Sequence, residues 1–240
     1  MDAALDDVDW LPDLAGRTLF AVGGSWRALA RLHIAQNDHP VSIVHNYRVS
    51  GAAAEQVAAL IARMSRESLD GIACVPRRRL ESLPTTAMTL LRVLRLVRPG
   101  DVVFSAFGVR EGLLFDRLSL AERGEDPLLA ACRQLRRRDG RGFDDGAALW
   151  SWLRPLFADA PADRTRLHRA ACELRDIAWR THPDYRAEEA LTQVIRAPFV
   201  GIDHPGRVFL GLAMCARYGG ETAGAPARFR HLVDGRAAAD

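Results

Sequence analysis

Strand-like and helix-like segments alternate through the first half of this 240-residue chain and stop alternating near Leu120. "RTLFAVGG" (17–24) is a buried-strand run, and "SWRALARLHIAQN" (25–37) is helical with Ser25 placed to cap it. "VSIVHNYRV" (41–49) alternates and is β-rich. "AAAEQVAALIARMS" (52–65) puts Val57, Leu60, Ile61 and Met64 on one helical face. A long helix over 80–97 starts near Pro84 and is stopped by Pro99-Gly100, followed by the strand "DVVFSAFG" (101–108) and a helix from Val109 to Leu118. Alternation of this kind predicts an α/β layer with parallel strands. With only two or three strands, such a sheet leaves edges for something else to cover.

Beyond "AERGEDP" (121–127) no strand pattern follows. Helical patterns run from Pro127 to Arg138, Asp144 to Phe157, Asp163 to His182, Arg186 to Arg196 and Pro205 to Tyr218. The expected division is an α/β part over 1–120, a helical part over 121–220, and a small, polar, mobile tail over 221–240.

Composition narrows the partners. All 33 basic residues are arginine, which a GC-rich genome explains without reference to any site. A net charge of +3 is too small to argue for nucleic acid, and no aromatic residues interleave with the basic runs "PRRRLE" and "RQLRRRDGR". Cys74, Cys132, Cys172 and Cys215 are too scattered for a metal or redox motif and read as reduced, buried thiols. The acidic start is not a signal peptide, and "VFLGLAMCA" is too short to span a bilayer, so no membrane is expected and the location is cytoplasmic.

The turn at Gly23, Gly24 and Ser25, where the first strand hands over to a helix, is open to two readings. Bare glycine backbone and a helix N-terminus present N–H donors to an anion. Glycine there is equally what an ordinary tight strand-to-helix connection needs.

Three stretches together break that tie. "AVGGSWRALARLH", "RLESLPTTAMTLLRVL" (79–94) and "DVVFSAFGVREGLLFD" (101–116), in this order and at these separations, resemble the exopolyphosphatase / guanosine pentaphosphate phosphohydrolase (Ppx/GppA phosphatase) family, whose members have the actin-like ATPase fold. The helical remainder is similar to the family's C-terminal region through "LRDIAWRTHPDYRAEEAL" and "GIDHPGRVFLGLA". The resemblance implies part of an actin-like (ribonuclease H-like) domain, the second half of the family's second domain, followed by a helical, degenerate HD-like domain.

It also implies hydrolysis of a terminal phosphoanhydride of polyphosphate or guanosine pentaphosphate, with Mg²⁺ whose ligands lie outside this chain. Gly23, Gly24 and Ser25 would line the phosphate cleft, Arg79 and Arg110 would contact phosphate, and Gly108 and Gly112 would allow close backbone approach. Each arginine could equally serve a salt bridge. Glu111 reads as a helix cap or a partner of Arg110 before it reads as a base.

The departures from the family pattern carry as much weight. Its Asp-x-Gly-Ser phosphate loop, catalytic glutamate and second Gly-rich loop have no counterpart here, so the catalytic residue is unassigned and the isolated chain is expected to be a poor enzyme or none. "PTTA" follows Leu83 where a small-Gly turn is usual, and Thr85 could cap a helix there. In the helical half, His168, Asp176, His182, Asp203 and His204 are the available metal-type ligands. Arg175-Asp176 stands where the HD-type hydrolases have His-Asp, and arginine cannot ligate, so no metal site is assigned. The other expectation is a non-catalytic module that binds polyphosphate or dimerises, using Trp150, Trp152, Phe157 and Trp179 as a partner surface. A homo-oligomer, or association with the missing N-terminal half, is expected.

Overall fold

The computed structural model describes residues 8–65, 67–68, 74–139, 146–220, 229 and 232–233. The expected mobile tail therefore lies outside the described residues except for those last three. The chain divides into two compact units, Met1–Asp116 and Arg117–Asp240.

The first unit is a small mixed sheet covered on one face by helices. Strands β1 (Thr18–Val22), β2 (Tyr47–Ser50) and β3 (Asp101–Ser105) lie in the order β1-β3-β2. β1 runs parallel to β3, with Val22 opposite Ser105, but β2 runs antiparallel, with Tyr47 opposite Phe104. The expectation of parallel strands therefore holds for one pair only. After helix α1 (Gly24–Gln36), residues 37–46 form no strand; they carry the chain back to the C-terminal end of β3, turning at Asp38 and Asn46, both left-handed at φ 45° and 58°. The alternating stretch at 41–49 yields a strand only at its end.

Leu19, Ala21, Val102, Phe104, Tyr47 and Val49 share the face turned to the core. Helices α1, α2 (Gly51–Ala62) and α4 (Leu83–Val97), the last preceded by the single turn α3 (Arg77–Leu80), close that core. Ser50 caps α2 by accepting from the Ala53 amide, and Val57 and Ile61 are buried on it. Leu60, expected on the same face, is exposed, because the stripe on α2 is set by Ala54, Val57, Ala58 and Ile61 against α4. Gly51 is sterically required: a β-carbon there would lie 2.1 Å from the Pro99 carbonyl oxygen, where the Gly51 amide donates to Gly100. The other face of the sheet is open, with Phe20 and Val22 exposed on the edge strand and Arg48 paired to Asp101 at 2.7 Å.

The second unit is helical among its described residues. It contains α6 (Leu120–Gly124), α7 (Pro127–Asp139), α8 (Gly146–Leu153), α9 (Ala162–Leu174), α10 (Arg186–Arg196) and α11 (His204–Arg217). The first unit ends on α5 (Val109–Phe115), three residues shorter than expected. The core joins Leu128 and Cys132 of α7, Leu167, Ala170 and Leu174 of α9, Val194 of α10, and Leu210 and Met214 of α11. The helix expected to reach His182 ends at Leu174, because Ala178 is left-handed (φ 62°) and breaks the helical path. Leu174, Ile177 and Ala178 are nonetheless all buried. Cys132, Cys172 and Cys215 are buried thiols and Cys74 is exposed, correcting the expectation for that residue; burial pushes the Cys132 thiol up to about 12. No helix among the described residues is long and apolar enough to cross a membrane.

Two carboxylates start helices here. Asp203 caps α11 by accepting from the Gly206 amide at 2.8 Å, and Asp203→Ala is expected to cost about 1 kcal/mol in a denaturant titration. Asp126 accepts from the Leu128 and Leu129 amides and from both Nε (2.5 Å) and Nη2 (2.9 Å) of Arg166. Burial alone would raise its pKa, but the Arg166 and backbone bonds outweigh it and hold the carboxyl below its ordinary value. A depressed carboxyl contributes stability that is present above its unfolded pKa, near 4, and is lost as pH falls through the folded value. Asp126→Ala is therefore expected to cost about 2 kcal/mol at pH 7, a gap that narrows once the titrations are repeated below about pH 4.

Candidate functional site

The C-terminal ends of β1 and β3 lie side by side, and each hands over at once to a helix. After Val22 the backbone turns at Gly23 with φ 128°, a conformation side-chain-bearing residues avoid, and α1 begins at Gly24. Gly23 is the N-cap, no side chain caps the helix, and Ser25 sits inside its first turn. The expectation that Ser25 caps the helix is thus corrected: the sharp turn at Gly23 starts the helix one residue early. The first bond of α1 runs from the Arg27 amide to the Gly23 carbonyl, leaving the Gly24, Ser25 and Trp26 amides ahead of the intrahelical ladder.

Arg79 arrives at this turn from the other side of the sequence. A β-carbon on Gly24 would lie 2.5 Å from its Nη2 and 2.8 Å from its Cζ, so the guanidinium occupies the space that glycine leaves. No carboxylate among the described residues is paired with it. The positive end of the α1 dipole and an arginine therefore meet at one point, an arrangement that favours a negatively charged group. Thr85 does not cap the nearby helix. α4 begins at Leu83, its N-cap is Ser82, and the Thr85 carbonyl accepts from the Thr89 hydroxyl.

On the neighbouring strand, Gly108 precedes α5 and packs beside Val22: a β-carbon there would meet Val22 Cγ1 at 3.5 Å, an ordinary contact. Neither φ nor crowding demands glycine at Gly108. Gly112 faces open space, and Arg110 is exposed on the same short helix. Glu111 folds back so that its Oε2 accepts from the Gly108 amide at 2.7 Å. That bond first, then its own amide and the charges of Arg110 and Arg27, hold its carboxyl below the usual range. A carboxylate so engaged caps its helix and is a weak base.

Arg27 and His45 are the residues that sequence reasoning missed. Arg27 Nη1 donates to the Ala106 carbonyl at 2.5 Å, tying α1 to the turn after β3 and placing a second cation between the two helix starts. His45 Nδ1 accepts from the Ala106 amide at 3.4 Å, and its ring packs on Phe107 at 4.6 Å. Arg27 falls one turn after Gly24, a spacing that places it at the same end of the helix, and this was the signal available. Gly23, Gly24, Ser25 and Arg79 are thus brought together, Gly108 stands beside them across Val22, and Arg110 and Gly112 lie on the exposed helix beyond.

The metal-type residues of the helical unit go elsewhere. Among the described residues no three His, Cys, Asp or Glu side chains form a metal-holding group. His168 lies among Phe157, Phe209 and Trp150, with ring centroids at 4.0, 5.7 and 6.5 Å, and burial lowers its pKa. Arg175 is buried, donating to the Cys172 carbonyl at 3.1 Å and lying 3.7 Å from Asp176. His182 is exposed and caps the turn at Pro183–Tyr185, while His204 is buried at the start of α11. Of the four aromatic residues named for a partner surface, Trp150 and Phe157 stack on one another at 6.4 Å and Trp152 is exposed.

Two family models match the chain. Residues 5–121 match the Ppx/GppA phosphatase family, and residues 152–236 match the exopolyphosphatase C-terminal domain. Among curated proteins, none matches the chain. The first match spans the sheet, the glycine turn, Arg79 and α5, and the second covers most of the helical unit. Together they show that the chain belongs to the Ppx/GppA phosphatase family.

Proposed function

We propose that the first unit is one wall of the phosphate cleft of an exopolyphosphatase-type phosphohydrolase, part of an actin-like domain, and that the second is a degenerate HD-like domain. The observation that carries this is the guanidinium of Arg79 lying against Gly24 at the N-terminus of α1. The Gly24, Ser25 and Trp26 amides and the Arg79 charge would hold phosphate oxygens of polyphosphate or of guanosine pentaphosphate, with Arg110 adding charge from α5. Such donors neutralise charge as it builds on a transferring phosphoryl group, and phosphoryl transfer depends chiefly on positioning and electrostatics of that kind.

This donor set is cationic and amide-based and does not suit Mg²⁺, which takes carboxylate, phosphate and water oxygens; Glu111, the carboxylate at the start of α5, is occupied by the Gly108 amide. No step is assigned to a metal held by these residues. Glu111 is equally unsuited to orient the attacking water, so the water-orienting carboxylate is proposed to come from outside this chain, from the Gly-rich-loop half that the family pattern carries.

The test is phosphate release from long-chain polyphosphate with Mg²⁺, by this chain alone and with that half added in trans. Release only in the mixture is the expected result. Release by the chain alone would overturn the assignment of the base. If neither releases phosphate but polyphosphate still binds, the chain is a binding module.

Association is proposed through the exposed edge strand β1 and the surface of α5. Phe20 and Val22 on β1 and Val109, Leu113 and Leu114 on α5 are exposed at 64, 44, 90, 59 and 68%, large apolar side chains that a partner surface would cover. Phe20→Glu with Val22→Glu is expected to shift sedimentation of the chain toward the monomer; identical profiles for wild type and variant would count against it.

A further inference from the structure

Helix α10 turns a polar face to a cavity of about 520 Å³ in the helical unit. The cavity opens between that helix, the run of turns after α9 and the C-terminal end of α7. Glu189, Thr192, Gln193 and Arg196 line it, a spacing that puts all four on one side of α10, while Ala190 and Val194 on the neighbouring side enter the core. Glu189 Oε1 accepts from Gln193 Nε2 at 2.8 Å. Among the described residues, the second Glu189 oxygen, the Gln193 side-chain carbonyl, the Thr192 hydroxyl and the Arg196 guanidinium have no partner. Arg138 and Arg180 also reach the cavity but are engaged within the protein, Arg180 at 5.3 Å over the ring of Trp179.

A carboxylate thus stands at one end of this face and a guanidinium at the other, about 10 Å apart along the helix axis. Charges in this order also suit the helix dipole, but the dipole explains neither the uncommitted hydroxyl and amide between them nor the wall they face. That wall is Ile177 and Trp179. Ala178 between them is left-handed at φ 62°, a strained state of the kind that clusters at ligand clamps, and its turn brings both side chains to the cavity. The matching ligand carries a cation and an anion about 10 Å apart, amides between them and an apolar group on one side. Three extended residues span about 10 Å, and the volume is that of a small-molecule site.

We propose that this cavity binds an extended tripeptide, its N-terminal ammonium on Glu189, its C-terminal carboxylate on Arg196 and its central apolar side chain against Ile177 and Trp179. The Thr192 hydroxyl donates to a peptide carbonyl and the Gln193 carbonyl accepts a peptide N–H. The site is separate from the Gly24–Arg79 wall and does not depend on the function proposed for that wall.

The test is calorimetric titration, at pH 7 and low salt, of the tripeptide Ala-Leu-Ala with both termini free into the full-length chain. Saturable binding of one tripeptide per chain at sub-millimolar concentration is expected. The N-acetylated and the C-amidated tripeptides should each bind at least tenfold more weakly. Glu189→Gln should weaken the free tripeptide at least tenfold yet leave binding of the N-acetylated form unchanged, and Arg196→Gln should do the same with respect to the amide, both with an unchanged circular dichroism spectrum. Absence of saturable binding, or binding indifferent to both substitutions, would overturn the site. Capped tripeptides binding as tightly as the free one would overturn recognition of the two ends, and that comparison uses the unaltered chain, so it holds even if a variant fails to fold.

Discussion

Arg207→Met is expected to destabilise the helical unit by about 3 kcal/mol, lowering its melting temperature by about 10 °C. Arg207 projects from α11 and is 1% exposed. Its Nη1 donates to the carbonyls of Val194, Ile195 and Ala197, at 3.3, 3.3 and 2.5 Å, and its Nη2 donates to Phe199 at 3.2 Å. Val194 and Ile195 belong to the last turn of α10, where carbonyls run short of intrahelical donors, and Ala197 and Phe199 to the segment that follows; the Val194 and Ala197 oxygens also accept from the Ala197 and Phe199 amides, at 3.4 and 2.8 Å. Burial pulls the guanidinium pKa down to about 10, still far above neutrality, so the group remains a cation. Its counter-charge is the negative end of the α10 dipole, and its plane lies 5.5 Å from the centre of the Phe199 ring.

Methionine fills similar volume and also removes the cost of burying a charge, which is why the expected loss stays below the sum of four unmade bonds. Arg207→Lys should recover part of the stability, since one ammonium cannot reach all four acceptors in the fork geometry of arginine. Urea titration of the three proteins measures this. If Arg207→Met matched wild type to within about 0.5 kcal/mol, water would have to be satisfying those carbonyls instead.

Arg207 also shows where sequence reading stopped. Its pattern, an arginine one turn into a helix after "DHPG", looks like a solvated charge, because nothing local says that another helix ends above it. The periodic helices at 127–138 and 186–196 were legible because each carries its own apolar stripe. The direction of β2 was not legible. Antiparallel and parallel strands carry the same alternation, and only the path of residues 37–46 decides between them. At the candidate site, the glycine turn was visible because it needs glycine chemistry locally. Arg79 could be named only through the family resemblance, since it lies 55 positions after Gly24. Arg27 escaped notice because its role depends on the Ala106 carbonyl, contributed by the turn after β3, which is distant in sequence.

The largest functional effect is expected at Arg79. Arg79→Gln should weaken binding of long-chain polyphosphate about 10- to 100-fold, the loss of one charge-assisted contact of about 1.5–3 kcal/mol, while leaving the melting temperature of the first unit unchanged. Stability should be indifferent because no carboxylate among the described residues pairs with the guanidinium, so its removal strands no partner. Gly24→Ala separates position from charge. The new methyl would lie 2.5 Å from Nη2, and the side chain it meets is the flexible end of an arginine that can swing aside at little cost. The chain should therefore fold as before and keep all its charge, yet bind polyphosphate several-fold more weakly, because the guanidinium no longer lies over the N-terminus of α1. A chain that merely attracts polyanions through its net charge would respond differently. Arg79→Gln would then matter no more than loss of any exposed arginine, such as Arg95→Gln, and Gly24→Ala would do nothing. Calorimetric titration of the three variants against one polyphosphate preparation at fixed salt distinguishes the two, since a diffuse attraction is screened equally for all of them.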